Sequence, residues 1–90
     1  MEITFDPEKS KRNLRERGLG FEMAAGFDFT TALYAPDTRK DYGEIRTRAI
    51  GYIEGTLYAL VFTVRGKVLR VISLRRASRR ERRRYAQSKS

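Results

Sequence analysis

The sequence predicts an α+β fold: short helices toward the amino terminus, an antiparallel sheet in the middle and one helix near the carboxyl end. Three observations carry this. Arg46 to Ile53, Leu57 to Val64 and Val68 to Leu74 are β-rich runs separated by Glu54-Gly55 and Arg65-Gly66, short glycine turns that mark two successive hairpins. Asp6-Pro7 and Gly18 bracket a helical stretch. Ser78-Arg79-Arg80-Glu81 has the form of a capping box.

Taken in order, Ile3 to Phe5 reads as a short strand. The helix after it starts at Pro7, whose missing N–H costs nothing at the first helical position, and runs to Arg17. Only Leu14 and the stems of Lys and Arg offer apolar area along it, so it belongs on the surface. Phe21 to Ala25 reads as a second, shorter helix. Phe27 to Tyr34 alternates loosely, as a strand or extended segment, and Ala35 to Gly43 is a polar loop. In the meander, Leu57 to Val64 is apolar on both faces, as a central strand requires. Regular alternation in the last strand places Val68, Arg70, Ile72 and Leu74 on one face and Leu69, Val71 and Ser73 on the other. The helices are expected to pack on one side of this sheet. The terminal helix is expected to end near Tyr85 or Gln87, leaving residues 86–90 as a frayed tail.

Ninety residues make one domain, spanning 1–90. Without Cys or His, carboxylates are the only metal-ligand side chains left, which argues against a zinc or other transition-metal site and against any thiol nucleophile; neither metal nor cofactor is expected. No apolar run approaches the roughly 18 residues a bilayer span needs, and Met1 to Asp6 lacks a basic then apolar leader. The expectation is a soluble, cytoplasmic chain with no membrane partner.

Charge is the most polarised property. Arg65 to Arg84 holds ten basic side chains, nine of them Arg, against Glu81 alone, and this stretch accounts for the net +9 of the whole chain. A folded cationic face of that density fits a polyphosphate, because the guanidinium fork pairs bidentately with phosphate and stacks on bases.

The ordered residues also resemble a known family. Phe5-Asp6-Pro7 with Lys9, Asn13-Leu14, Gly18 and Phe21-Glu22 is similar to the start of BrnT toxins. The likeness continues through Gly43-Glu44, Arg46, Ile50-Gly51 and Val61-Phe62-Thr63-Val64-Arg65-Gly66. It closes in Arg70-Val71-Ile72-Ser73-Leu74-Arg75-Arg76-Ala77-Ser78-Arg79-Arg80-Glu81-Arg82-Arg83-Arg84-Tyr85. The resemblance implies a RelE-like fold and the toxin half of a bacterial type II toxin–antitoxin pair, an endoribonuclease that inhibits translation. It also implies a BrnA-like antitoxin partner, as a hetero-oligomer such as a heterotetramer, with DNA contacted only through that antitoxin. Two departures stand out: Glu16-Arg17-Gly18 where members often read Lys-His-Gly, and Phe62 where His or Tyr often precedes the Thr.

RNA cleavage by its own 2′-OH needs a base, cations that stabilise a phosphorane and an acid at the 5′ oxygen. Glu44 is the first candidate base, with Glu81 as the alternative if it is not simply a helix cap. Arg46, Arg65, Arg75, Arg76 and Tyr85 complete the candidate catalytic set. Arg48, Arg70, Arg79, Arg80, Arg82 and Arg83 are the candidate RNA-binding residues. Arg46 and Arg48, two apart in a strand, share a face and can straddle a phosphate. The competing reading is a non-catalytic module that holds RNA or a partner through the same basic face.

Overall fold

The computed structural model describes residues 1–90. Strand β1 (Glu2–Phe5) leads into α1 (Pro7–Arg17) and a 3-10 helix (Phe21–Gly26). Then come β2 (Leu33–Pro36), β3 (Thr47–Ile53), β4 (Thr56–Arg65), β5 (Val68–Arg76) and α2 (Arg79–Lys89). The five strands form one sheet in the order β1-β5-β4-β3-β2.

Local chemistry accounts for most of these boundaries. The Asp6 side chain accepts from the Glu8 backbone N–H at 2.9 Å, and Gly18, at φ 74°, donates its N–H to the Leu14 carbonyl. The β3–β4 turn has positive φ at both Glu54 and Gly55, and the β4–β5 turn at Gly66 alone; both senses suit the right-handed twist of a hairpin. Helix α1 lies on the surface with Leu14 exposed, as its composition requires. It is attached by polar groups: Asn13 Nδ2 donates to the Leu19 and Leu74 carbonyls at 2.8 and 2.9 Å, and the Ser10 hydroxyl accepts from Phe21 N–H at 2.8 Å.

Four expectations are corrected. The sheet is mixed, because β1 pairs in parallel with β5; no local signal announces a pairing between residues that far apart. The extended segment at 27–34 becomes a strand only at Leu33–Pro36, antiparallel to β3. Helix α2 continues to Lys89, so residues 86–89 are helical, not frayed. The helices also divide between the two faces of the sheet. Leu19, Phe21, Ala24 and Phe27 from the 3-10 region pack with Ala49, Leu60, Phe62, Val71 and Leu74, while Ala77 and Tyr85 pack with Ile50 on the opposite face.

A β-bulge decides which face the end of β5 presents. The register shifts between Val61 and Phe62, which pair with Ser73 and Val71 and leave Ile72 as the extra residue. Leu74 therefore joins Leu69 and Val71 in the main core, where regular alternation would have placed it on the other face. Arg70 (opposite Thr63), Ser73 (opposite Val61) and Arg75 (opposite Ala59) share the α2 face, and Arg76 (opposite Tyr58) falls on the other.

Candidate functional site

Two devices fix α2 on its face of the sheet. The capping box forms in full: the Ser78 hydroxyl accepts from Glu81 N–H at 3.2 Å, and Glu81 Oε1 accepts from Ser78 N–H at 2.8 Å. The same carboxylate receives the Arg75 fork, at 2.7 Å to Oε1 and 2.9 Å to Oε2, so one residue joins the end of β5 to the start of α2. Arg75's hydrogen bonds hold the Glu81 carboxyl at about 2, against the burial that acts to raise it. One turn later the Tyr85 ring meets Tyr52 edge-on at 5.5 Å, and its hydroxyl donates to the Thr31 carbonyl at 3.1 Å. Tyr85 is buried and its donor is engaged; its place is that of an anchor for α2.

Beside this anchor the α2 face stays open over a cavity of about 220 Å³. Leu33, Ile50, Ala59 and Val61 give it an apolar lining, and Arg39, Arg48, Arg75, Arg84, Ser73 and Ser88 give it polar groups. Arg84 and Ser88 arrive because they lie within a turn of Tyr85, which sets the inward side of the helix.

Arg39 arrives from the loop after β2, held by Asp37 through Nε–Oδ1 at 2.8 Å and Nη2–Oδ2 at 2.9 Å. Asp37's side chain is 0% exposed and Arg39's 63%, so the buried carboxylate fixes a cation that still reaches solvent. Arg39's hydrogen bonds bring the Asp37 carboxyl to about 2, with a smaller contribution from the charge on Arg48.

Arg48 is different: its Nε is buried and has no hydrogen-bond partner. An unmet buried donor costs about 1–3 kcal/mol. Four guanidinium groups thus line one cavity, balanced only by Glu81 and by the Asp37 that Arg39 grips. The net positive charge and the orphaned donor suit this cavity chemically to an anion or a hydrogen-bond acceptor.

Glu44, Arg46 and Arg65 form a separate cluster. Arg46 Nε lies 3.0 Å from Glu44 Oε2 and Arg65 Nη2 2.9 Å from Oε1, and the Arg46 guanidinium sits 3.8 Å from the Tyr42 ring centroid. The hydrogen bonds from Arg65 and then Arg46 depress the Glu44 carboxyl below the ordinary carboxylate range. A carboxylate held this way is charged at neutral pH and a weak proton acceptor. None of the three residues lines the arginine cavity.

The fold therefore brings together Arg48 and Arg75 of the sequence-predicted residues, and groups Glu44, Arg46 and Arg65 elsewhere. It leaves Arg76 on the opposite face and Arg70 on the cavity's face but outside its lining. On α2, Arg82 Nη1 donates to the Ala77 carbonyl at 3.0 Å, closing the helix start, while Arg79, Arg80 and Arg83 are exposed and outside the cavity. Sequence reasoning missed Asp37, Arg39, Arg84 and the two serines. The Asp-x-Arg spacing of the loop and the helical spacing of Glu81, Arg84, Tyr85 and Ser88 were the signals available. Phe62 packs edge-on against Phe29 and Tyr34 in the main core, at centroid distances of 6.0 and 6.5 Å. The departure from His or Tyr at that position removes no group from the arginine cavity.

The chain is a small, basic α+β protein with an arginine-lined cavity on one face of its sheet. The chain belongs to the BrnT family: the model of the ribonuclease toxin, BrnT, of type II toxin–antitoxin systems matches residues 5–81. No curated protein matches the chain significantly. Membership makes the protein a ribonuclease toxin, with RNA as its substrate class and an antitoxin as its partner. No helix is long and apolar enough to cross a membrane.

Proposed function

We propose that the arginine cavity under α2 is the RNA-cleaving site, and that the protein is a metal-independent, RelE-like endoribonuclease that blocks translation in the cytoplasm until a BrnA-like antitoxin binds it, as a heterotetramer. DNA enters only through that antitoxin. The carrying observation is the convergence of Arg39, Arg48, Arg75 and Arg84 on one cavity with too few carboxylates to neutralise them. A helix-flanked sheet with basic strand residues supports the RelE-like assignment by fold analogy.

In this reading Arg39, Arg75 and Arg84 hold the scissile phosphodiester and stabilise the charge on the phosphorane as the 2′ oxygen attacks and the P–O5′ bond breaks; water takes the 2′ proton and returns one to the 5′ oxygen. Arg75 and Arg39 are suited to it because Glu81 and Asp37 already fix their forks, so little reorganisation accompanies the reaction. Each tenfold of acceleration asks about 1.4 kcal/mol, and several charge-assisted hydrogen bonds in a partly dry cavity supply a few such steps. The carboxyls of Asp37 and Glu81 at the cavity, and of Glu44 in its separate cluster, are all lowered, so charge stabilisation outweighs carboxylate base catalysis, and turnover is slow. Glu44 acts by orienting Arg46 and Arg65 along the approach of the strand; exposed Arg79, Arg80 and Arg83 add non-specific, salt-sensitive attraction for RNA.

The test is cleavage of RNA, free and ribosome-bound, by the antitoxin-free protein in excess EDTA. Cleavage is expected to persist in the chelator and to fall by about 100- to 1,000-fold in Arg75→Ala, with circular dichroism showing the fold retained. A folded protein that leaves RNA intact, or one whose cleavage is indifferent to Arg75 and Arg84, would favour the non-catalytic binding module instead.

A further inference from the structure

The cavity has a second property that phosphate binding does not require. Its floor is apolar, built by Leu33, Ile50, Ala59 and Val61. A phosphodiester offers no apolar surface to such a floor, whereas a nucleobase offers two flat faces. The volume, about 220 Å³, lies below the roughly 300–1,000 Å³ of sites for drug-sized ligands and suits one planar base, not a folded stem.

The polar lining is also one-sided. Arg48 presents a buried donor with no acceptor, and the neighbouring arginines can only donate. The one carboxylate in the lining, Glu81, has both oxygens taken by Arg75 and one also by the Ser78 N–H. The Ser88 hydroxyl gives its one proton to the Tyr85 carbonyl at 2.7 Å, so its oxygen and that of Ser73 are neutral acceptors set against four guanidinium groups. A base entering this slot meets donors and few free acceptors. Guanine matches, because its major-groove edge carries two adjacent acceptors, O6 and N7. Adenine and cytosine each place an amino donor on that edge, where this lining offers little to receive it.

We propose that the cavity is a guanine-selecting slot, in which Arg48 reads O6 and N7 while the base lies on the Ala59–Val61 floor and the rim arginines hold its flanking phosphate. The slot deepens the ribonuclease reading and rests on it: it makes Arg48 the specificity-determining residue.

The test is titration of the antitoxin-free protein with 3′-GMP, 3′-AMP, 3′-CMP, 3′-UMP and inorganic phosphate, followed by nuclear magnetic resonance. A bidentate Arg–guanine pair predicts 3′-GMP binding about 5- to 150-fold more tightly than 3′-AMP. Arg48→Met, close in length and without donors, is expected to erase that ratio while phosphate still binds. Ala59→Leu, which fills the floor and leaves every charge in place, is expected to weaken all nucleotides toward the affinity of phosphate alone. It also serves if Arg48→Met does not fold. Equal binding of the four nucleotides overturns the slot and leaves the phosphate-binding ribonuclease standing. Selection of another base overturns the guanine assignment. Binding of neither nucleotides nor phosphate by the folded protein removes the RNA site itself, and the slot with it.

Discussion

The two faces of this sheet carry alternating residues of the same three strands, yet they are finished in opposite ways. On the α1 face, twelve buried apolar residues form one cluster, sealed by the 3-10 helix; on the α2 face only Ile50, Ala77 and Tyr85 do so. Leu60 and Val61 are neighbours in β4, but Leu60 is fully buried in the first cluster and Val61 floors the arginine cavity. The lesson is that one face holds the molecule together so that the other can be left incompletely covered. An apolar floor ringed with only half-compensated cations is tolerable where a well-packed core lies behind it.

The comparison breaks most readily at that pair. Leu60→Ala is expected to cost about 2–5 kcal/mol in urea unfolding, through lost burial and the cavity left behind. Val61→Ala deletes two methyl-sized groups beside an existing cavity and is expected to cost no more than about 1.5 kcal/mol. Equal losses would mean the α2 face is as tightly packed as the other.

An intermediate effect lies in acid. Glu81's carboxyl is held at about 2 in the folded protein, below its ordinary 4.5, so its contribution to stability is complete above pH 4.5 and is lost as pH falls through about 2. Thermal melts between pH 5 and 8 are expected to show no step from this group. The Tyr85 ring resonances in nuclear magnetic resonance spectra should report loosening of α2 below pH 4.5, and Glu81→Gln should remove that acid step. A transition of α2 near pH 6 would contradict the assignment.

The smallest effect belongs to Glu44. Its pair with the largely exposed Arg65 is weakened by solvent, so Glu44→Gln is expected to leave the urea unfolding midpoint nearly unchanged, and less affected still as salt is raised. A large drop in the midpoint would show that this cluster holds the loop after β2 against the sheet.

Where local chemistry decides structure, the sequence was legible. Asp6, Pro7 and Gly18 bound α1, the glycine turns delimit β3 to β5, and Ser78 with Glu81 starts α2, all as read from the residues. What was not legible depends on distant partners. Nothing within Glu2–Phe5 says that it lies parallel to β5, and nothing in the polar loop says that Asp37 is buried and brings Arg39 to the cavity. The candidate site was half legible for the same reason: the charge of residues 65–84 pointed to the end of β5 and to α2, which both line the cavity, but strand parity and helix facing decided which guanidinium groups meet.

Ile72 draws one more consequence from the fold. The extra residue there works as a phase shift in the inside–outside rhythm of the chain. Everything after it reads with inverted parity, so Arg75 meets the cavity and Arg76 does not. Were the strand to run straight through Ile72, with no residue left over, composition and charge pattern would be unchanged, yet the two adjacent arginines would exchange roles and Leu74 would turn out of the core. In this protein, the spelling of the basic segment matters less than where its count begins.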